Sequence, residues 1–220
     1  MHTLAFLSPW KRFAITGSAI LVSLLLCYSF PTDARLNQSL QSVMVGIAFF
    51  LIVPVLYVKM VLKEPLGSLG FQRSHRKFGW ASVILTVIPA LAVLVVLVKT
   101  SSVGGQYHLP LFATQSFPLF LLYELFLVGA LVFLYEVFFR GFVMLLWLKD
   151  FGFGSALFQA VFFIGSYAIL RGGVSWQDVP LFFTAVISGF VAFYTKSIWY
   201  SFSASWLFLF LADAYFLAIR

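Results

Sequence analysis

The chain has 220 residues, 62% of them hydrophobic and only 10% charged, too little polar surface to wrap a water-soluble globule of this size. Apolar stretches reach the roughly 20 residues that span about 30 Å of hydrocarbon, and they lack the alternation of barrel strands. The net charge of +7 is of the kind that nucleic acid attracts, but the basic residues fall almost wholly between those stretches, where they set orientation instead.

The N-terminal Lys11 and Arg12 precede an apolar run to Phe30. Ser29-Phe30-Pro31-Thr32 offers no small-x-small cleavage site, so this run reads as an uncleaved first span. Apolar patterning then gives spans over 13–30, 42–62, 79–98, 117–148, 154–170, 179–194 and 198–219. The fold class is therefore an all-α, polytopic transmembrane helix bundle of seven spans. It has eight if 117–148 breaks near Val128-Gly129-Ala130, since one straight helix of that length reaches about 48 Å. The segment 63–78 carries Pro65, Gly67, Gly70 and several basic residues, as a connector lying against anionic lipid does. In the loop 100–116, Ser116 is placed to cap the next helix, with Pro118 in its first turn. No repeat or low-complexity tract divides the chain, so 1–220 is one membrane domain.

Lys11, Arg12, Lys59, Lys63, Arg73, Arg76, Lys77, Lys149 and Lys196 all fall on one side of this arrangement. Only Arg35, Lys99, Arg171 and Arg220 fall on the other. The bias predicts a cytosolic N-terminus in a plasma (inner) membrane. Trp10, Trp80, Trp176 and Trp199 sit near span ends, as interfacial anchors do. Cys27 is the single cysteine, which rules out an internal disulfide.

Ionisable groups at membrane depth are expensive and mark function by default. Here they are Glu124, Glu136 and Arg140 on the fourth span and Asp213 on the last, while Asp178 sits at a helix start as a cap. Glu136 and Arg140 are four residues apart and share a helix face, so the carboxylate and guanidinium are expected to pair. That pair is either a general base held by its arginine or a neutralised packing node. Glu124 is twelve residues from Glu136, about 120° round the helix and about 18 Å along it. Ser201, Ser205 and Asp213 share a face of the last span, a ridge able to look toward Glu136.

Tyr135-Glu136-Val137-Phe138-Phe139-Arg140-Gly141 resembles the Glu-Glu-x-x-x-Arg-Gly signature of the CPBP (Abi) family, which includes CAAX prenyl endopeptidases and bacteriocin-processing or immunity proteins. Phe151-Gly152-Phe153-Gly154-Ser155, Gly189 and Thr195-Lys196-Ser197-Ile198-Trp199 follow in the order of that family, and Leu69-Gly70-Phe71 through Trp80 is similar to its connector. The resemblance covers about residues 63–212. It implies a CAAX-protease-like bundle and, in a complete member, glutamates and histidines that activate water for peptide hydrolysis.

The departures fall on the chemistry. Tyr135 stands for the first glutamate of the signature. Where the family has Phe-x-x-x-His, this chain has Phe163-Ile164-Gly165-Ser166-Tyr167, with Tyr167, or Ser166 one register earlier, in the histidine position. Where it has His-x-x-x-Asn or Asp, Ser205 and Leu209 stand instead. The chain's histidines are His2, His75 and His108, all outside the spans, so neither a metal site nor an imidazole base is expected at membrane depth.

The sequence thus predicts a CPBP-like membrane protein without cofactor or metal and with impaired or absent proteolysis. Its retained motif residues are Glu136 and Arg140, and Tyr135, Tyr167, Ser205 and Asp213 mark vestigial positions or neighbours. Its expected partners are the bilayer and a hydrophobic peptide, lipid-modified chain or partner helix. One alternative is an active intramembrane endopeptidase using Glu136. The other is a small transporter subunit, which no paired broken helices support.

Overall fold

In lipid every backbone N–H and C=O must find a partner within its own segment, and the long apolar runs satisfy this as helices. The computed structural model describes residues 9–30, 38–72, 76–101, 105, 107–171 and 173–219, and every regular element among them is helical. His2, Asp33, Arg35, Arg73 and His75 lie outside the described residues. Seven long helices follow in chain order: α1 (Pro9–Ser29), α2 (38–62), α3 (Arg76–Thr100), α4 (Phe117–Trp147), α5 (Gly154–Arg171), α6 (Val179–Thr195) and α7 (Ile198–Ala218). Six of them are long and apolar enough to cross a bilayer, the property of an integral membrane protein, while the apolar part of α5 is shorter.

Helix α4 continues through Val128-Gly129-Ala130 without a break. What changes is its pitch. Tyr123–Val128 and Glu136–Met144 widen to i→i+5 hydrogen bonding, as do Ile47–Ile52 and Tyr57–Leu62 of α2. Such wide turns are rare and gather at functional sites. Ser116 is the N-cap of α4, its hydroxyl a long 3.5 Å from the Leu119 amide, and Pro118 occupies the first turn, where an N–H would go unused.

Helix α4 runs between two apolar clusters. On one side Phe138, Phe139 and Phe142 pack with Ile20 of α1, Phe50 of α2 and Phe163 of α5. On the other, Val132 joins Val83 and Leu94 of α3, Val191 of α6 and Phe208 and Phe216 of α7. The many phenylalanines therefore divide between this interior and lipid-facing positions such as Phe126 and Phe158. Trp10, Trp80, Trp176 and Trp199 are all exposed near helix ends.

The connector between α2 and α3 folds back onto the bundle. Its Leu66–Leu69 turn lies against α4 so closely that a Cβ on Gly141 would stand 2.8 Å from the Leu69 carbonyl oxygen. Only a glycine allows that approach. The Gly70 carbonyl then accepts the Ile198 amide at 3.0 Å, which ties the connector to the first turn of α7. Arg12 of α1 meets Glu64 of the connector at 2.7 Å in a partly exposed ion pair at this same end.

Candidate functional site

Glu136 and Arg140 lie where α4 meets α5, α6 and α7, each 1% exposed. Their spacing gives the expected contact: Arg140 Nε is 3.5 Å from Glu136 Oε1, an ion pair at the long end of the range. The guanidinium is fixed from two further sides. Arg140 Nη2 donates to the Thr184 carbonyl of α6 at 2.9 Å, and the group lies 5.7 Å from the centre of the Phe163 ring. Ser205 Oγ of α7 donates to Glu136 Oε1 at 2.8 Å. Glu136 therefore has an arginine and a hydroxyl on the same oxygen, while its Oε2 is buried without a protein donor.

The other residues singled out by the sequence go elsewhere. Tyr167 donates to Asp178 Oδ1 at 2.7 Å. Asp178 uses its second oxygen to accept from the Ser175 amide and hydroxyl, closing a capping box at the entry to α6. Ser166 bonds back to the Phe163 carbonyl. Tyr135 packs against Phe50, Phe139 and Phe163 and lines a cleft with Cys27, Tyr28, Gln41 and Gly46. The ridge on α7 divides. Ser205 reaches Glu136, Ser201 bonds its own helix at the Ile198 carbonyl, and Asp213, two turns further on, meets Glu124 and Tyr107 instead of Glu136.

Gln159 of α5 belongs to the centre and was not singled out by the sequence. Fully buried, it donates from Nε2 to the Ala185 carbonyl at 2.8 Å, next to the carbonyl held by Arg140, while its Oε1 has no donor. Gly189 on α6 makes room for it, since a Cβ there would stand 2.5 Å from Gln159 Nε2. An amide within an otherwise apolar run is the signal the sequence carries for it.

Chemically, the arrangement neutralises charge more readily than it activates water. A general base needs a lone pair beside water or substrate, whereas Glu136 is buried, with Oε1 held by the Ser205 hydroxyl and the Arg140 charge and Oε2 enclosed within the bundle. A cavity of about 830 Å³ opens at the connector end of the bundle between Arg12, Glu64, Gln72, Leu145, Tyr194 and Lys196 and does not include the pair. The Tyr135 cleft holds about 240 Å³ and also leaves Glu136 out. Among the described residues no three His, Cys, Asp or Glu side chains converge as metal ligands. His108 is exposed, on the loop before α4.

Compared with known proteins, the chain matches no family model, no curated protein and no solved structure.

Proposed function

We propose that this chain is a CPBP-like integral membrane protein whose ancestral hydrolytic centre has become a packing node, and that it binds a hydrophobic peptide or lipid-modified chain without cleaving it. The observation that carries this reading is the enclosure of Glu136: it is 1% exposed, accepts a hydrogen bond from Ser205 of the bundle and has its charge met by Arg140 in a 3.5 Å ion pair. The aromatic substitutions support it too. Tyr135 stands in a cleft of about 240 Å³ open to apolar neighbours, a volume suited to a prenyl group or a few side chains of a partner helix rather than to a larger ligand.

Seven crossings with a cytosolic N-terminus belong to the same reading. Trp147 at the end of α4 packs on Phe13 near the start of α1, and Lys196 at the end of α6 lines the same cavity as Arg12. The chain leaves α4 and finishes α6 at one end of the bundle, so α5 has to carry it to the other. Its 18 residues reach about 27 Å, close to the hydrocarbon thickness.

The test is a farnesylated peptide bearing a photocrosslinker, incubated with the purified protein in nanodiscs. Crosslinks to Cys27, Gln41 or Tyr135 with the peptide intact are the expected result. Peptide cleavage that disappears in Glu136→Ala would replace this reading with the active endopeptidase, and neither crosslink nor cleavage would remove both.

A further inference from the structure

Away from Glu136, two more carboxyl groups meet inside the bundle. Glu124, on the first wide turn of α4, is fully buried, and neither of its oxygens receives a donor from the surrounding side chains or backbone. Asp213 of α7 is 2% exposed and lies within hydrogen-bonding reach of it. Tyr107, on the segment before α4, donates its hydroxyl to Asp213 Oδ1 at 2.5 Å, and its ring stacks on Phe216 at 4.1 Å. Trp206 ties the same place together by donating to the Glu124 carbonyl at 3.0 Å.

Two carboxylates cannot hydrogen-bond, because each is only an acceptor. Two like charges in contact inside a low-dielectric bundle also repel strongly, so such pairs keep one proton between them. No ammonium or guanidinium substitutes for that proton among the described residues. Of the basic side chains described at this end, Lys99 and His108 are both exposed, and the described titratable groups that act on the carboxyls are the phenols of Tyr107 and Tyr123. The other described carboxyls are accounted for differently: Glu64 by Arg12, Glu136 by Arg140, Asp178 by the Ser175 amide, and Asp150 by exposure.

We propose that Glu124 and Asp213, with Tyr107 over them, form a proton-binding site in which a single proton is shared between the two carboxyls. Asp213 already accepts from Tyr107, so Glu124 is the acid and donates its proton to the second carboxyl. Burial and Asp213 push the Tyr107 phenol well above its usual range, which keeps it a donor. Loss of the shared proton would set two negative charges face to face, and the Tyr107 segment and α4 would then part from α7. The site is independent of any hydrolytic or binding role of Glu136.

Infrared spectroscopy of the full-length protein in nanodiscs reads the proton directly, as a protonated-carboxyl carbonyl band that shifts in heavy water. At about pH 8, far above the ordinary carboxyl range, the wild type is expected to show this band. Glu124→Gln should lose it, while Asp213→Asn, which leaves the buried Glu124 acid beside a neutral amide acceptor, and Tyr107→Phe should each shift its frequency without abolishing it. Replacing N-methylglucamine by sodium should leave it unchanged. An absent wild-type band, or one that Glu124→Gln leaves in place or Asp213→Asn leaves unshifted, overturns the proposal. A wild-type band that sodium removes overturns it as well, in favour of a monovalent-cation site. The wild-type pH and sodium series decide even where a variant fails to fold.

Discussion

At Arg140 the balance of forces can be read from a single side chain. Its guanidinium spends one N–H on the Thr184 carbonyl and sits over Phe163, while the contact with Glu136 is long. Breaking a buried pair by removing one partner leaves an uncompensated charge and costs about 3–5 kcal/mol, whereas replacing both by neutral groups of similar volume is often nearly free. A single hydrogen bond between membrane helices averages about 0.6 kcal/mol. Arg140→Met is therefore expected to destabilise the protein severely, Ser205→Ala only slightly, and Glu136→Gln combined with Arg140→Met much less than Arg140→Met alone. Reversible unfolding in detergent measures all three. Equal losses for Arg140→Met and the double variant would mean that the arginine acts mainly through α6 and not through its carboxylate.

At the scale of elements, the sequence disclosed the helices well and their fine geometry poorly. Apolar runs of spanning length showed where the helices lie, because hydropathy over some twenty residues averages out local irregularity. The same averaging hid the wide turns of α4, which change which residues share a face. The Glu136–Arg140 contact and the Ser205 contact were legible because they follow from i,i+4 spacing and from the polar face that Ser205 shares on the last span. The destination of Asp213 was not, because it depends on a loop residue, Tyr107, more than a hundred positions away. Glycines expose the same close geometry. Gly141 faces a backbone carbonyl that has no freedom to yield, so Gly141→Ala should cost about 1–3 kcal/mol as overpacking and loosen the connector. Gly189 faces the end of the flexible Gln159, so Gly189→Ala should cost no more than about one hydrogen bond. A Cβ on Gly165 meets nothing within 4 Å, and Gly165→Ala should be neutral or stabilising by up to about 1 kcal/mol. Proteolysis within 63–72, slow in wild type, is expected to accelerate in Gly141→Ala alone.

For the molecule as a whole, charge and packing divide the bundle into two unlike ends. Arg12, Glu64, Gln72 and Lys196 gather around the large cavity at one end, and Tyr107, Asp213 and the start of α4 stand at the other. Basic residues near span ends are retained in the cytosol, so the cavity end is expected to face inward, with Tyr107 and the carboxyl pair toward the opposite face. The chain makes this simple to examine because Cys27 is its single cysteine. In a Cys27→Ser background, Ser68→Cys marks the connector and His108→Cys the loop before α4. A membrane-impermeant maleimide applied to intact cells should label position 108 and leave position 68 untouched until the membrane is opened. The reverse pattern would invert the bundle. Labelling of both from outside would mean that an odd number of crossings no longer separates α2 from α4, which would require α3, the most apolar of the six long helices, not to cross the membrane.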